Sequence, residues 1–161
     1  MSPNAKAGCE VAPQALAAML GAMKFLQLNF LPGSADAGLL IARLWFGGSM
    51  VLLHGWGKLT NFSAYSGKFA DPFGMGQTAS LGLTTFAEVV CATFIVLGLF
   101  TRLSALILAF NMAVAFKVGH GAKLAGEGNG EVAFLFLGAF LVLLFAGAGK
   151  FSVDAKMGAK V

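Results

Sequence analysis

Gly38-Leu-Leu-Ile-Ala-Arg-Leu-Trp-Phe-Gly-Gly-Ser-Met-Val-Leu-Leu-His-Gly-Trp-Gly-Lys58 is the stretch whose reading decides the fold. It is long and apolar enough to cross a bilayer, since about 20 residues at a rise of about 1.5 Å cover the hydrocarbon core. It nevertheless carries Arg43 and His54 inside and Lys58 at its far end. These three follow one another at intervals of 11 and 4 residues, so with Gly47 they share one helical stripe. A charge at mid-bilayer costs about 2.5–3.5 kcal/mol on insertion scales. The stripe is therefore expected to face protein rather than lipid, with the remaining helices built around it.

Composition agrees with this reading. The 161 residues are 58% hydrophobic and 11% charged, with a mean hydropathy of +0.81. A soluble domain of this length needs far more polar surface. The net charge of +4 does not signal nucleic acid, because the basic residues stand singly at the ends of apolar runs, where they anchor and orient helices. Cys9 and Cys91 form no CxxC pair, which argues against dithiol redox chemistry, and Cys91 reads as a small packing residue. No hydrophobic region precedes Lys6-Ala-Gly-Cys9, so a lipoprotein signal is not supported.

Working outward, residues 13–31 read as an amphipathic helix at the membrane surface, with a signal peptide or an additional span as rivals. Residues 1–36 then form an N-terminal tail and surface helix, 37–155 a four-span membrane domain, and 156–161 a short basic tail. Leu59 to Gln77 is too polar and irregular to cross lipid. Its Phe62, Tyr65, Phe69 and Phe73 suit a lid folded over the helix ends. The further spans are expected at Thr78–Phe100, Leu103–Val118 and Val132–Gly147, with a tight turn at Thr101-Arg102. The glycine-rich Gly126-Glu-Gly-Asn-Gly130 has no preceding strand and no following GKS/T, so it reads as a connector rather than a phosphate loop. The fold expected is thus all-α, an integral membrane four-helix bundle with an N-terminal interfacial helix. Four spans put both termini on one side with seven of the eleven Lys and Arg residues, which favours cytoplasmic termini.

With that topology His54, Lys58, Lys117, His120 and Glu131 gather at the outer end, and Glu88 lies deeper in the second span. Two readings of Glu88 stand side by side. It pairs with Arg43, His54 or Lys58 and only fixes the bundle, since buried membrane charges are usually paired. Alternatively, His54, Glu88 and Lys58 line a polar pocket that binds a quinone carbonyl or relays a proton, with Arg43, His120 and Glu131 contacting the quinone or a partner. Two histidines and two carboxylates without an ExxH or HExxH spacing make no metal motif, and haem signatures are missing.

The chain resembles the DoxX family of small bacterial four-helix membrane proteins. The resemblance is carried by Arg43 with Gly47, His54-Gly55-x-Gly57-Lys58-Leu59, Asp71-Pro72-x-Gly74-x-Gly76, Phe86-Ala87-Glu88-Val-Val-Cys91, Leu97-Gly98-Leu99-Phe100-Thr101-Arg102, His120, Glu131, and Gly147-x-Gly149-Lys150-Phe151-Ser152-x-Asp154. It covers about residues 37–155 and departs from the pattern at Ala148, where the family usually has proline, and in its glycine-rich outer linker. The resemblance implies a protein of the bacterial cytoplasmic membrane associated with quinone-linked redox chemistry. Its partners would be lipids with other membrane-complex subunits or further copies of itself, and if it is enzymatic it is a quinone-linked oxidoreductase subunit. The alternative is a non-catalytic accessory subunit.

Overall fold

A computed structural model describes residues 33–159 throughout and, before them, residues 15–17, 19–21, 23 and 26. The chain divides into two units, Met1–Ser34 and Ala35–Val161. In the first unit the described residues up to 26 are helical and Gly33 and Ser34 are not, and the remainder of the surface helix expected over 13–31 lies outside the described residues.

The second unit is all-helical among its described residues. Helix α1 runs Ala35–Thr60, α3 Gln77–Leu97 and α4 Thr101–Gly119, each long and apolar enough to cross a membrane. Helix α5, Glu131–Ala146, is apolar along its whole length but has 16 residues, about 24 Å at 1.5 Å each. It packs along α4 in the most extensive helix pairing of the bundle. Short helices α2, Phe62–Ser66, and α6, Val153–Lys156, lie in the connections. The Leu59–Gln77 segment is therefore partly helical, because α1 continues through Thr60 before the chain turns.

The core collects Met50 from α1, Cys91 and Ile95 from α3, Leu108 from α4, and Phe140 and Leu143 from α5. Trp45, Leu52, Leu53, Phe110 and Phe145 point outward and are exposed. In water such a face would be costly, whereas in a bilayer it is the lipid-contacting surface. Helices α1 and α3 approach closely because α1 presents glycines. A Cβ at Gly47 would press on Ala92 and Val96 at 3.1 and 3.0 Å, and one at Gly55 would meet the Glu88 carbonyl and Val89 at 2.8 Å. Such small-residue contacts are how membrane helices gain packing energy.

The turn between α3 and α4 falls at residues 98–100, ahead of the Thr101-Arg102 expected for it. Gly98 and Phe100 take left-handed conformations, φ 69° and 46°. The Asp154 carboxylate accepts the backbone N–H groups of Phe100 and Thr101 at 2.8 and 2.9 Å. That carboxylate satisfies amides the new helix cannot pair itself, so α4 starts at Thr101, the first residue of the expected turn.

Candidate functional site: a cavity beside the Lys58–Glu88 pair

Four wider π-type turns interrupt the helices, at Arg43–Gly47, Met50–Gly55, Phe86–Cys91 and Ala115–Gly119. They contain Arg43, His54, Glu88 and Lys117 respectively. Such turns frequently mark functional positions in helices. The structure separates these residues into two groups at opposite ends of α1.

At one end Lys58 Nζ meets Glu88 Oε2 at 2.5 Å. The Glu88 side chain is 5% exposed and that of Lys58 23%. Asn111 of α4 donates from Nδ2 to Glu88 Oε1 at 3.5 Å, and Lys58 Nζ also donates to the His54 carbonyl at 3.3 Å. One carboxylate thus ties three helices together. The approach of α1 to α3 at Gly55, one turn before Lys58, is what brings the two charges into contact.

Lys58, Glu88 and Asn111 lie in the wall of a cavity of about 730 Å³, otherwise formed mainly by apolar side chains of α3, α4 and the 67–76 loop. The volume falls in the range of about 300–1,000 Å³ usual for small-molecule sites. The buried members of the wall are Ser80, Ala87 and Glu88, so the deep side of the cavity is the face of α3. The loop supplies Phe69, Pro72, Phe73 and Met75. It is fastened by Asp71, whose carboxylate accepts from the Met75 and Gly76 amides at 3.1 and 2.8 Å and from the Ser80 hydroxyl at 2.8 Å. The Ser80 hydroxyl, followed by the Gly76 amide, holds the Asp71 carboxyl below its ordinary value of 3.8.

His120 reaches the cavity from the opposite rim. Its Nδ1 lies 2.9 Å from the Gly128 carbonyl, and the chain folds so tightly around it that a Cβ at Gly130 would touch its side chain. His54 is placed differently. Its ring packs edge-on against Phe136 of α5, centroids 5.4 Å apart, and is not in the cavity wall. It remains within electrostatic range of both Glu88 and Lys58. Glu131 and Lys117 are exposed and also stand outside the wall.

Arg43 belongs to the other end. It is fully buried and donates to the Phe151 carbonyl at 2.5 Å. Its guanidinium fills the space a side chain at Gly98 would occupy. Asp154, already holding the start of α4, supplies the opposing charge. Asp36 completes this end by accepting the Lys150 amide at 2.9 Å. The residues 147–156 form a strap that closes the bundle over Arg43.

Sequence reasoning grouped Arg43, His54 and Lys58 on one stripe, but side-chain length and the wide turns send them to three neighbours. The role of Asn111 was not anticipated, although a lone amide in an apolar span facing a carboxylate's helix was the available signal. Among the described residues no three His, Cys, Asp or Glu side chains cluster as metal ligands.

No solved structure matches this chain. An uncharacterized protein of Haemophilus influenzae is 34% identical over 119 residues, covering 66% of this chain and 81% of that protein. Residues 38–121 match the DoxX family, a span that runs from the start of the Arg43 stripe through Lys58, Glu88 and Asn111 to His120. The chain belongs to the DoxX family.

Proposed function

We propose that the cavity is a binding site for a quinone and that the protein is a quinone-associated subunit of the bacterial cytoplasmic membrane, with its termini in the cytoplasm. The observation that carries this reading is a buried ion pair placed in the wall of an otherwise apolar cavity of about 730 Å³. Ligand sites combine an apolar enclosure with a few polar groups that fix orientation. A quinone fits both halves: its ring and tail are apolar, and its carbonyl oxygens accept hydrogen bonds. When bound, it would supply the capacity to carry electrons through the lipid phase. Lys58, with three donor hydrogens, would donate to a carbonyl oxygen while keeping its contact with Glu88. Glu88, oriented by Asn111, would hold the Lys58 ammonium in place toward the ligand. His120 at the rim offers a polar ring toward the cavity.

A second reading is favoured by a specific observation. Both oxygens of Glu88 already have partners in Lys58 and Asn111. A satisfied buried carboxylate can serve only to fix the register of three helices in an accessory subunit. One experiment separates the two readings. The wild-type protein and Glu88→Gln are purified from native membranes in mild detergent, extracted lipids are quantified by mass spectrometry, and thermal unfolding is followed in parallel. The quinone reading expects about one quinone per chain in the wild type and at least a tenfold loss in a variant that still folds. Quinone missing from the folded wild type, with co-purifying subunits present, establishes the accessory reading instead.

A further inference from the structure

The way α3 leaves α4 bears on what the cavity admits. The two helices are joined at the Gly98 turn and stay packed through Phe86–Leu97 of α3. Beyond that point Gln77–Thr85 packs against α2 and the last turns of α1. The helices therefore splay toward the Lys58 end, and the cavity lies in the splay. Leu83 and Phe86 on one side, with Phe110 and Val118 on the other, line the cavity and are about half exposed. Half-exposed side chains on both helices, at the point where the helices part, are what an opening between them produces. The cleft is bridged by Phe73, which reaches from the loop and stacks on Phe110 at a centroid distance of 6.1 Å and an interplanar angle of 14°.

We infer that the cavity opens sideways into the bilayer between α3 and α4, and that it takes a ligand whose long apolar tail lies in this cleft, with Phe73 as a movable stopper. This deepens the quinone reading and rests on it. A tail in the cleft is covered by lipid on its outer side and by Leu83, Phe86 and Phe110 on its inner side, so no apolar surface meets water. A loop ring that stacks on Phe110 across the cleft can swing aside with the loop, because a single aromatic pair is a weak fastening. Selection is therefore for tailed molecules dissolved in the bilayer over the same ring free in water.

The test uses Leu83→Trp, which adds bulk at the cleft edge on α3. Wild type and variant are reconstituted in phosphatidylcholine vesicles containing a benzoquinone with a long isoprenoid tail. They are then re-extracted, and retained quinone is counted by mass spectrometry. Binding of the tail-less ring is measured by calorimetry in the same detergent. The expected result is at least a tenfold loss of tailed quinone in Leu83→Trp with tail-less binding reduced by no more than about threefold, and that residual binding also shows that the variant is folded. Retention of the tailed quinone by Leu83→Trp overturns lateral entry, as does equal loss of both ligands. Failure of the wild type to bind either one overturns the quinone reading itself.

Discussion

Helix α1 buries a cation near each end, and the two ends treat it differently. Arg43 is sealed: no part of it is exposed, and Gly98, Phe151 and Ser152 close around its guanidinium. Lys58 keeps 23% of its side chain exposed and borders a large cavity. Both charges have acidic counterparts, Asp154 for Arg43 and Glu88 for Lys58. A buried charge in a membrane helix is therefore not by itself a sign of a site. The space left beside it is what distinguishes an end built to close from an end built to hold something.

The sealed end should break hardest. Gly98 has φ 69°, and a Cβ there would overlap the Arg43 guanidinium and approach Ser152 Cβ at 2.5 Å. Gly98→Ala pays about 1 kcal/mol for the left-handed backbone alone. Arg43 has nowhere to retreat, so a total loss of about 3–5 kcal/mol is expected. Gly57→Ala, where a Cβ meets nothing within 4 Å, serves as the control on the same bundle. Equilibrium unfolding in detergent reads both. A Gly98→Ala protein as stable as the control would show that the strap is loose and that the contrast between the ends is false.

At the open end a double-mutant cycle sharpens the comparison. Lys58→Met or Glu88→Gln alone leaves one polar group of the pair without its partner, and each is expected to cost about 1–3 kcal/mol. The double variant should regain part of that stability, because an apolar replacement removes the stranded charge. Quinone retention should not return with it. Recovery of stability and ligand together would mean that the pair is only a fastening, as the hydrogen bond from Arg43 to Phe151 is.

Much of this architecture was legible from residue pattern. Apolar runs of the required length located the three long spans, and the single charges within them signalled an inward stripe. The fourth span was harder: Glu131–Ala146 is purely apolar but short, so length and composition pull in different directions. The candidate site was legible in part. Glu88 with Lys58 was among the pairings expected, since both fall on faces that α1 and α3 turn toward each other. His54 facing Phe136 was not foreseeable, because the wide turn at Met50–Gly55 rotates the helix away from the 3.6-residue stripe. Nor was the burial of Arg43 beneath residues 147–156, a contact made 108 positions along the chain. Helical periodicity describes which residues share a face, and it is silent on which distant segment covers that face.

The mildest effect is expected where the two ends differ in how their covers are fastened. The strap over Arg43 is held by buried contacts, whereas the cavity loop depends on Asp71 at the surface. Asp71→Asn keeps one side-chain oxygen, yet the Gly76 amide and the Met75–Ser80 pair use different carboxylate oxygens, so one side of the clasp is lost. Global stability should barely change, while the amides of residues 67–76 should exchange with solvent about tenfold faster. Acid should do the same to the wild type. The folded loop favours the carboxylate and lowers its pKa, so the clasp is at full strength above the ordinary value of 3.8 and weakens as pH falls through the lowered one. Loop exchange, corrected for the intrinsic chemistry of the amides, should stay flat from neutral pH down to about 4 and rise below it. A rise that begins well above pH 4 would take control of the loop away from Asp71, and the contrast between a surface clasp and a buried strap would lose its basis.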